Sequence, residues 1–355
     1  MWPVGGTWLC QHIWEHYLFT GDVEFLREYY PIMKGSARFL MDIMTIEPNN
    51  WLVIPFSMSP EQGYFTSEKA PEAFLSSSTT MNVGMVRDLF PHCIEASKIL
   101  SVDQEFSAQL ADALQKIPPY QIGKDGLLQV WIEDWIRGNE GHNMSANFGF
   151  YPGNSITLRG NPEIAAAIEK WLKPRPVRTS WTSAWDICDW ARLENGEKID
   201  TVIKQFFTVR SPLAGSPRPG APAGSPAGGT PRPGVPPGFP AGGPPRGGIG
   251  NNFQNTSSNQ SDANYGFTAG VAEALLQSHA GEISLLPALP SSWKDGSVTG
   301  LKARGGFEVN IEWKDGKLTK AEIKSLLGNP CIVRVNGKTT NYTSAKGETI
   351  VIQGS

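Results

Sequence analysis

The sequence lacks several features that would assign a chain to a functional class at once. Its four cysteines are scattered, with no CxxC pair or other metal-binding spacing, so free buried thiols are the default prediction. No apolar run of about 18 residues is present, which argues against a transmembrane helix. The first residues, MWPVGGTWLCQH, contain neither a basic region nor a continuous apolar core, so they predict no signal peptide and leave localisation undetermined. A net charge of −3 offers no electrostatic basis for binding nucleic acid or an anionic membrane.

The residues that are present indicate two domains and only weakly indicate a ligand. With 355 residues the chain can bury a sizeable core. Its 12 tryptophans slightly favour a carbohydrate site, because indole rings stack on sugar faces, but most tryptophans simply pack in cores. His12, Glu15 and His16 form an HxxEH string without a third ligand, so no metal site is predicted.

Hydrophobic periodicity divides the chain into a helical part and a β part. Apolar residues recur at helical spacing in segments 7–19, 76–100, 161–173, 179–194 and 197–208. After residue 281 the period changes to two, and Phe307, Val309, Ile311 and Trp313 alternate with polar or charged residues. The chain is therefore predicted to be mainly α, followed by a small antiparallel β domain.

Residues 211–255 have a different composition from the rest of the chain. They contain repeated PRPG, PxG and PAG units and few residues that can form a core. Such a segment is predicted to be disordered with polyproline II tendencies. A tolerated loop expansion is favoured over a role of its PxxP units as SH3 or WW ligands.

The segment 261–290 reads SDANYGFTAGVAEALLQSHAGEISLLPALP and predicts a helix that extends to Gln277–Ser278. Asp262 precedes the apolar positions of this helix and is suited to cap it. Most aspartates at such positions are simple caps.

Three strings together resemble glycoside hydrolase family 95, the 1,2-α-L-fucosidases. They are WPVGGTWLCQHIWEHYLFTGD near the start, FGFYPG at 148–153, and the 261–290 segment. The resemblance implies an incomplete (α/α)6 barrel of the six-hairpin glycosidase type with a β-sandwich-like C-terminal module. It divides the chain into a partial barrel (1–210), the insert (211–255), a last barrel helix (256–280) and the β domain (281–355).

The resemblance also implies a reaction. Family members hydrolyse terminal α-L-fucosyl linkages, and in some cases α-L-galactosyl linkages, with inversion and without a metal or organic cofactor. The aspartate at the position of Asp262 drives the catalytic water, and the partner is a fucosylated glycan. The family's general acid is placed on the glutamate before tryptophan in a string like LQEW, where this chain has Val130. Glu133 is the nearest substitute, although a carboxylate that only supports the site or lies on the surface is the favoured interpretation.

Four further residues are candidates for substrate binding. Glu61 matches the acid of the family's SPEN loop, and a solvated loop carboxylate is an equal alternative. His142 and Asn143 lie in the loop before FGFYPG, where the family carries a histidine at the position of Asn143. Trp181 shares a helix face with Trp185, so core packing is the first interpretation and a sugar platform the second.

Two functional hypotheses follow from these observations. The first is a fucosidase-family protein whose isolated chain has weak or no activity, because the acid position and part of the sugar loop are changed. The second is a non-catalytic glycan-binding or scaffold remnant. An incomplete barrel would leave helix faces uncovered, which predicts self-association.

Overall fold

The computed structural model describes residues 2–60, 62–138, 144–175, 181–206 and 261–354. The predicted disordered insert, 211–255, lies outside these ranges. Within them the chain forms eight α-helices: α1 (Gly5–Thr20), α2 (Val23–Ile43), α3 (Thr80–Leu100), α4 (Gln104–Leu114), α5 (Pro162–Leu172), α6 (Trp181–Arg192), α7 (Gly196–Phe206) and α8 (Ser261–Leu275). In the parts of the chain that are described, no helix combines the length and apolarity needed to cross a bilayer.

The first helical hairpin forms where local sequence predicts it. Gly21 ends α1 in the left-handed conformation, with φ of 65°, and its N–H donates to the Tyr17 carbonyl at 2.7 Å. One residue later the Asp22 carboxylate accepts the Phe25 N–H at 2.9 Å and caps α2. A cap of this kind contributes about 1 kcal/mol. α2 then turns one face inward, burying Leu26, Tyr30, Met33, Ala37 and Leu40.

α3 is the most buried long helix. It begins with a capping box in which Thr79 and Asn82 each accept the other's backbone N–H, at 3.3 and 2.8 Å. Ser101 and Gln104 also have the S-x-x-Q spacing of a capping box, which predicts that Ser101 caps the next helix, but this prediction is wrong. Ser101 instead takes the left-handed conformation, with φ of 57°, and ends α3. The following cap position, Asp103, makes no side-chain capping bond.

The helices pack as hairpins around a common interior, which is part of the (α/α)6 barrel that the sequence predicts. α1 packs against α2 and α3, while α6 packs against α7 and closely along α8. Gly270 of α8 makes this close approach possible, because a Cβ there would lie 2.5 Å from Ile187 of α6. α3 and α6 are largely buried, and α1 and α8 flank an opening into the interior.

The connections between α2 and α3 and between α4 and α5 complete this region. They contain the strands β1 (Thr45–Ile46), β2 (Leu52–Val53), β3 (Tyr64–Phe65) and β4 (Ile136–Arg137) and a 3-10 helix, Ser145–Gly149. β1 pairs with β2 and β3 with β4, both antiparallel.

The C-terminal domain contains two four-stranded sheets. Their strand orders are β11-β10-β6-β5 and β12-β9-β8-β7. The strands are β5 (Leu276–Gln277), β6 (Ile283–Leu285), β7 (Gly296–Ala303), β8 (Phe307–Lys314), β9 (Lys317–Ser325), β10 (Cys331–Val335), β11 (Lys338–Tyr342) and β12 (Thr349–Gln353). The predicted alternation along β8 is confirmed, since Phe307, Val309, Ile311 and Trp313 are all buried. Pairing is antiparallel except between β10 and β6.

The last helix is shorter than predicted. α8 ends at Leu275, and Leu276–Gln277 forms β5, paired with β6. Gln277 is held by its side chain, which donates to the Ala191 carbonyl at 2.6 Å. The chain therefore passes from the barrel into the β domain without a separate linker.

Candidate functional site

A cavity of about 580 Å³ lies between the helices that surround the interior. One wall is formed by the α1 residues Trp8, Gln11, His12 and Glu15. The opposite wall is formed by the α8 residues Asp262, Tyr265, Gly266, Ala269 and Glu273. Asp88 and His92 of α3, Arg192 of α6 and the 151–154 turn lie between them. This volume is in the range typical of small-molecule sites.

Asp262 lies in the first turn of α8, as the structure describes that helix, and its side chain is exposed while lining the cavity. It was expected just before the helix, as a cap. Glu273, on the same wall, lies about 16 Å further along the axis at 1.5 Å per residue. Asp262 thus occupies one end of the cavity, where a carboxylate is open to water and to a ligand.

Arg304 of the β domain lies at the other end of the cavity. Its guanidinium contacts the Glu15 carboxylate at 2.7 Å and lies over the Phe19 ring at 5.0 Å. The next residue, Gly305, donates its N–H to the Leu18 carbonyl at 2.7 Å, near the end of α1. Together with burial, the positive charge of Arg304 lowers the pKa of His92 to about 3, so His92 is neutral at physiological pH. The β domain therefore contributes directly to this cavity.

The position predicted for the general acid lies elsewhere. Val130 is 4% exposed and packs in the core, and its carbonyl accepts the Thr80 N–H at 2.9 Å. Glu133 is exposed and does not line the cavity that contains Asp262. Partial desolvation of its carboxyl group, together with the negative charge of Glu47, raises the pKa of Glu133 above its ordinary value. Its assignment as an acid stays a prediction.

The predicted sugar-binding residues Glu61, His142 and Asn143 lie outside the described residues. The described neighbours of these loops do meet, because the Ser59 and Ser145 hydroxyls are hydrogen-bonded at 2.6 Å. The fold therefore brings Ser59 and Ser145 together, and the roles of Glu61, His142 and Asn143 stay predictions.

Trp181 begins the described part of α6 and packs, partly buried, beside Phe206, Ala263 and Phe267. Its ring centroid lies 6.2 Å from that of Trp185, in a tilted arrangement. Trp181 does not line the cavity. These contacts favour the core-packing interpretation, and a sugar platform at this position stays a prediction.

Sequence reasoning missed the buried charges of the cavity wall. Asp88 is 4% exposed and accepts a hydrogen bond from the Gln11 amide at 3.4 Å. Arg192 is 2% exposed and forms an ion pair with Glu273 at 2.7 Å. A signal was available, because Asp88 follows the inward-facing Met81 and Met85 at helical spacing. A charged residue on the buried face of a helix indicates a polar partner or a site.

The HxxEH string forms no metal centre in the described structure. Glu15 is paired with Arg304, and the His16 ring packs on Phe25 with centroids 3.8 Å apart. Across the described ranges, no group of three or more histidine, cysteine or acidic side chains has a geometry that could hold a metal ion.

The fold defines the class of protein first. A solved structure, a putative kojibiose phosphorylase from the human microbiome, aligns with 98% of this chain and 44% of its own, with a TM-score of 0.56. At 10% sequence identity this likeness establishes the shared fold alone. That fold is a helical barrel of the glycosidase type, here followed by a β domain.

The family follows from the sequence comparisons. Residues 1–275 match the glycosyl hydrolase family 95 catalytic domain, and residues 277–353 match the glycoside hydrolase family 95 C-terminal domain. The chain therefore belongs to glycoside hydrolase family 95, which confirms the resemblance noted in the sequence.

Two curated relatives have names that describe fucosidases. "Alpha-L-fucosidase 2" of Arabidopsis thaliana is 35% identical over 325 residues, covering 90% of this chain and 35% of that protein. "Probable alpha-fucosidase A" of Aspergillus niger is 26% identical over 344 residues, covering 88% of this chain and 38% of that protein. The chain thus spans little more than a third of the length of either relative.

Proposed function

We propose that this chain carries part of the active site of a glycoside hydrolase that removes terminal α-L-fucosyl groups from glycans with inversion. The observation that carries the proposal is Asp262, an exposed carboxylate at one end of a cavity of about 580 Å³. Family membership and the fucosidase names of the relatives support the choice of substrate.

In this mechanism Asp262 is the general base. Its carboxylate takes a proton from a water molecule as that water attacks the anomeric carbon of the fucosyl group. A second carboxyl group protonates the oxygen of the departing glycan. Inverting enzymes hold the two groups about 6.5–9.5 Å apart so that water fits on the far face of the sugar.

The residue that supplies the second carboxyl group is the least supported part of the proposed site. Val130 has no proton to donate, and Glu133 lies outside the cavity lining. Glu61, which the sequence predicts to bind substrate, is the other acidic residue that we test in the role of the acid. Loss of a general acid costs about 10²–10⁴-fold in rate. We therefore propose that the isolated chain hydrolyses fucosyl linkages weakly or not at all.

Release of L-fucose from 2′-fucosyllactose tests both statements. The purified chain is compared with D262N, E133Q and E61Q, and with E68Q as a control at an exposed loop position. We expect slow release that D262N abolishes and E68Q leaves unchanged. Whichever of E133Q and E61Q removes the residual activity identifies the acid.

Two results would contradict the proposal. Residual hydrolysis that D262N leaves unchanged would refute the role of Asp262 as the base. Release at an ordinary enzyme rate, above about 1 per second, would refute the weak activity.

A second candidate function is glycan binding without catalysis. The observation that favours it is a row of tilted indole rings near the cavity. The ring centroid of Trp185 lies 6.5 Å from that of Trp8 and 6.2 Å from that of Trp181. Calorimetry with 2′-fucosyllactose would detect millimolar or tighter binding that W181A or D262N abolishes. No binding at millimolar glycan would refute this alternative.

We also propose that the chain self-associates through the helices that flank the cavity. Leu9 of α1 is 63% exposed and Tyr265 of α8 is 75% exposed, which leaves apolar surface on both sides of the opening. Sedimentation velocity should show dimers or larger species that L9Q/Y265Q shifts toward monomer. A monodisperse wild-type monomer would count against the proposal.

A further inference from the structure

Arg192 joins three elements at the wall of the cavity. It ends α6, it is 2% exposed, and its side chain lies between α8 and the turn that follows the 3-10 helix. A buried guanidinium has five N–H groups to satisfy, so its surroundings must supply several acceptors in one plane.

The first partner of Arg192 is on the helix that carries Asp262. Arg192 Nε donates to Glu273 Oε2 at 2.7 Å, and its Nη2 donates to Glu273 Oε1 at 3.1 Å. This two-point contact fixes the relative orientation of α6 and α8, because both planar groups must stay aligned. Burial alone would lower the pKa of Arg192, but the Glu273 carboxylate, with smaller contributions from Tyr151 and Cys188, raises it overall.

The remaining partners of Arg192 belong to the turn. Its Nη1 faces the Phe150 carbonyl at 3.1 Å, the Gly153 carbonyl at 3.4 Å and Asn154 Oδ1 at 3.3 Å. The turn itself is closed by hydrogen bonds, from the Gly153 N–H to the Phe148 carbonyl and from the Ile156 N–H to the Gly149 carbonyl, both 2.8 Å. Arg192 thus supplies a donor to two backbone carbonyls and one side-chain oxygen of the turn.

The two residues at the centre of this turn line the cavity. Tyr151 and Pro152 form its wall between α3 and α8, and the Tyr151 carbonyl accepts the Trp185 indole N–H at 3.1 Å. The Arg192 guanidinium also lies 5.2 Å from the centroid of the Tyr151 ring. A shift of the turn would therefore change the shape of the cavity between its α1 and α8 walls.

We propose that Arg192 is a positioning residue, which holds the Tyr151–Pro152 wall and the Asp262 helix in a fixed relation to each other. A lysine could not replace it, since one ammonium group cannot bind Glu273 at two points and also reach the turn carbonyls. The effect on glycan binding rests on the proposed function, whereas the effect on the turn does not.

The test separates positioning from simple stabilisation. R192M alone would leave the partly buried Glu273 carboxylate without its partner, so the double variant R192M/E273L is used, because apolar replacement of a buried ion pair is often neutral for stability. R334M/E282L is the matched control. It removes another two-point arginine–glutamate pair, in the β domain; Glu282 also lies 3.6 Å from Arg159, which is outside the 148–156 segment.

Hydrogen exchange of residues 148–156 is the readout that needs no ligand. At equal thermal stability, we expect R192M/E273L to exchange the Gly153 and Ile156 amides about tenfold faster or more, with the control unchanged. The dissociation constant for 2′-fucosyllactose should rise by a similar factor, and R192K, which retains Glu273, should show both changes.

The possible outcomes distinguish the positioning role of Arg192 from the proposed function of the chain. Native-like exchange in R192M/E273L would overturn the positioning role. Loss of protection together with unchanged glycan binding would confine Arg192 to the turn and overturn its role in the site. A wild type that binds no glycan would refute the proposed function and leave the exchange result to decide the role of Arg192 in holding the turn.

Discussion

The substitution Asp88→Asn tests whether the Asp88 carboxyl group in the cavity wall is protonated in the folded protein. Asp88 is 4% exposed on α3. Burial raises its pKa from 3.8 to about 7, although hydrogen bonds from the Asn154 backbone, Ser155 and Gln11 act in the opposite direction. In the unfolded chain Asp88 therefore ionises at a pH about three units lower than in the folded protein.

The sign and size of the effect follow from this difference. The folded pKa is raised, so the folded state binds the proton more tightly, and this contribution to stability is complete below pH 3.8 and is lost as the pH rises to about 7. One pKa unit corresponds to about 1.4 kcal/mol. Between pH 5 and pH 7 the wild type should lose about 2 kcal/mol of unfolding free energy relative to D88N.

Urea denaturation of both proteins at pH 5, 6 and 7 measures this change, because groups other than Asp88 cancel in the difference. The amide of D88N cannot accept all the hydrogen bonds that Asp88 accepts, which adds a cost of about 1–3 kcal/mol that does not depend on pH. D42N, at an exposed position of α2, is the carboxyl-to-amide control. A stability difference between wild type and D88N that stays constant from pH 5 to pH 7 would refute the reasoning.

Three further predictions concern stability and can be checked by the same urea titrations. T79A removes the capping box with Asn82 and should cost about 1 kcal/mol, and a loss below about 0.3 kcal/mol would show that the box contributes little. G270A forces a Cβ to within 2.5 Å of Ile187 and should cost about 1–3 kcal/mol, so an unchanged midpoint would argue against close packing of α6 on α8. G35A, where no atom lies within 4 Å of an added Cβ, should instead stabilise α2 by up to about 1 kcal/mol; destabilisation would contradict that open environment.

Local sequence predicted those elements whose signals lie within a few neighbouring residues. The Thr20-Gly21-Asp22 junction was predictable because a left-handed glycine and a capping aspartate act on adjacent turns of backbone. The same reasoning failed at Ser101. A serine hydroxyl can cap a helix, but Ser101 ends α3 in the left-handed conformation. The residue at the cap position of α4 is Asp103 instead.

The candidate site was predictable only in part. Asp262 was identified through its family motif, and the structure places it at the cavity. Its neighbours there come from distant segments, and neither the Arg192–Glu273 pair nor the contact of Arg304 with Glu15 leaves a pattern in adjacent residues. The catalytic role of Asp262 and the site assignments for Glu61, His142, Asn143, Trp181 and Glu133 stay predictions.

By itself, the sequence determined the helical and β parts of this protein, most helix ends and the family, because periodicity, caps and motifs are properties of short segments. Only the tertiary structure decided which charges face one cavity, since that depends on how α1, α3, α6 and α8 pack around the interior. It also decided that the β domain contributes to that cavity. The guanidinium of Arg304 reaches Glu15 only because the turn between β7 and β8 packs against the end of α1.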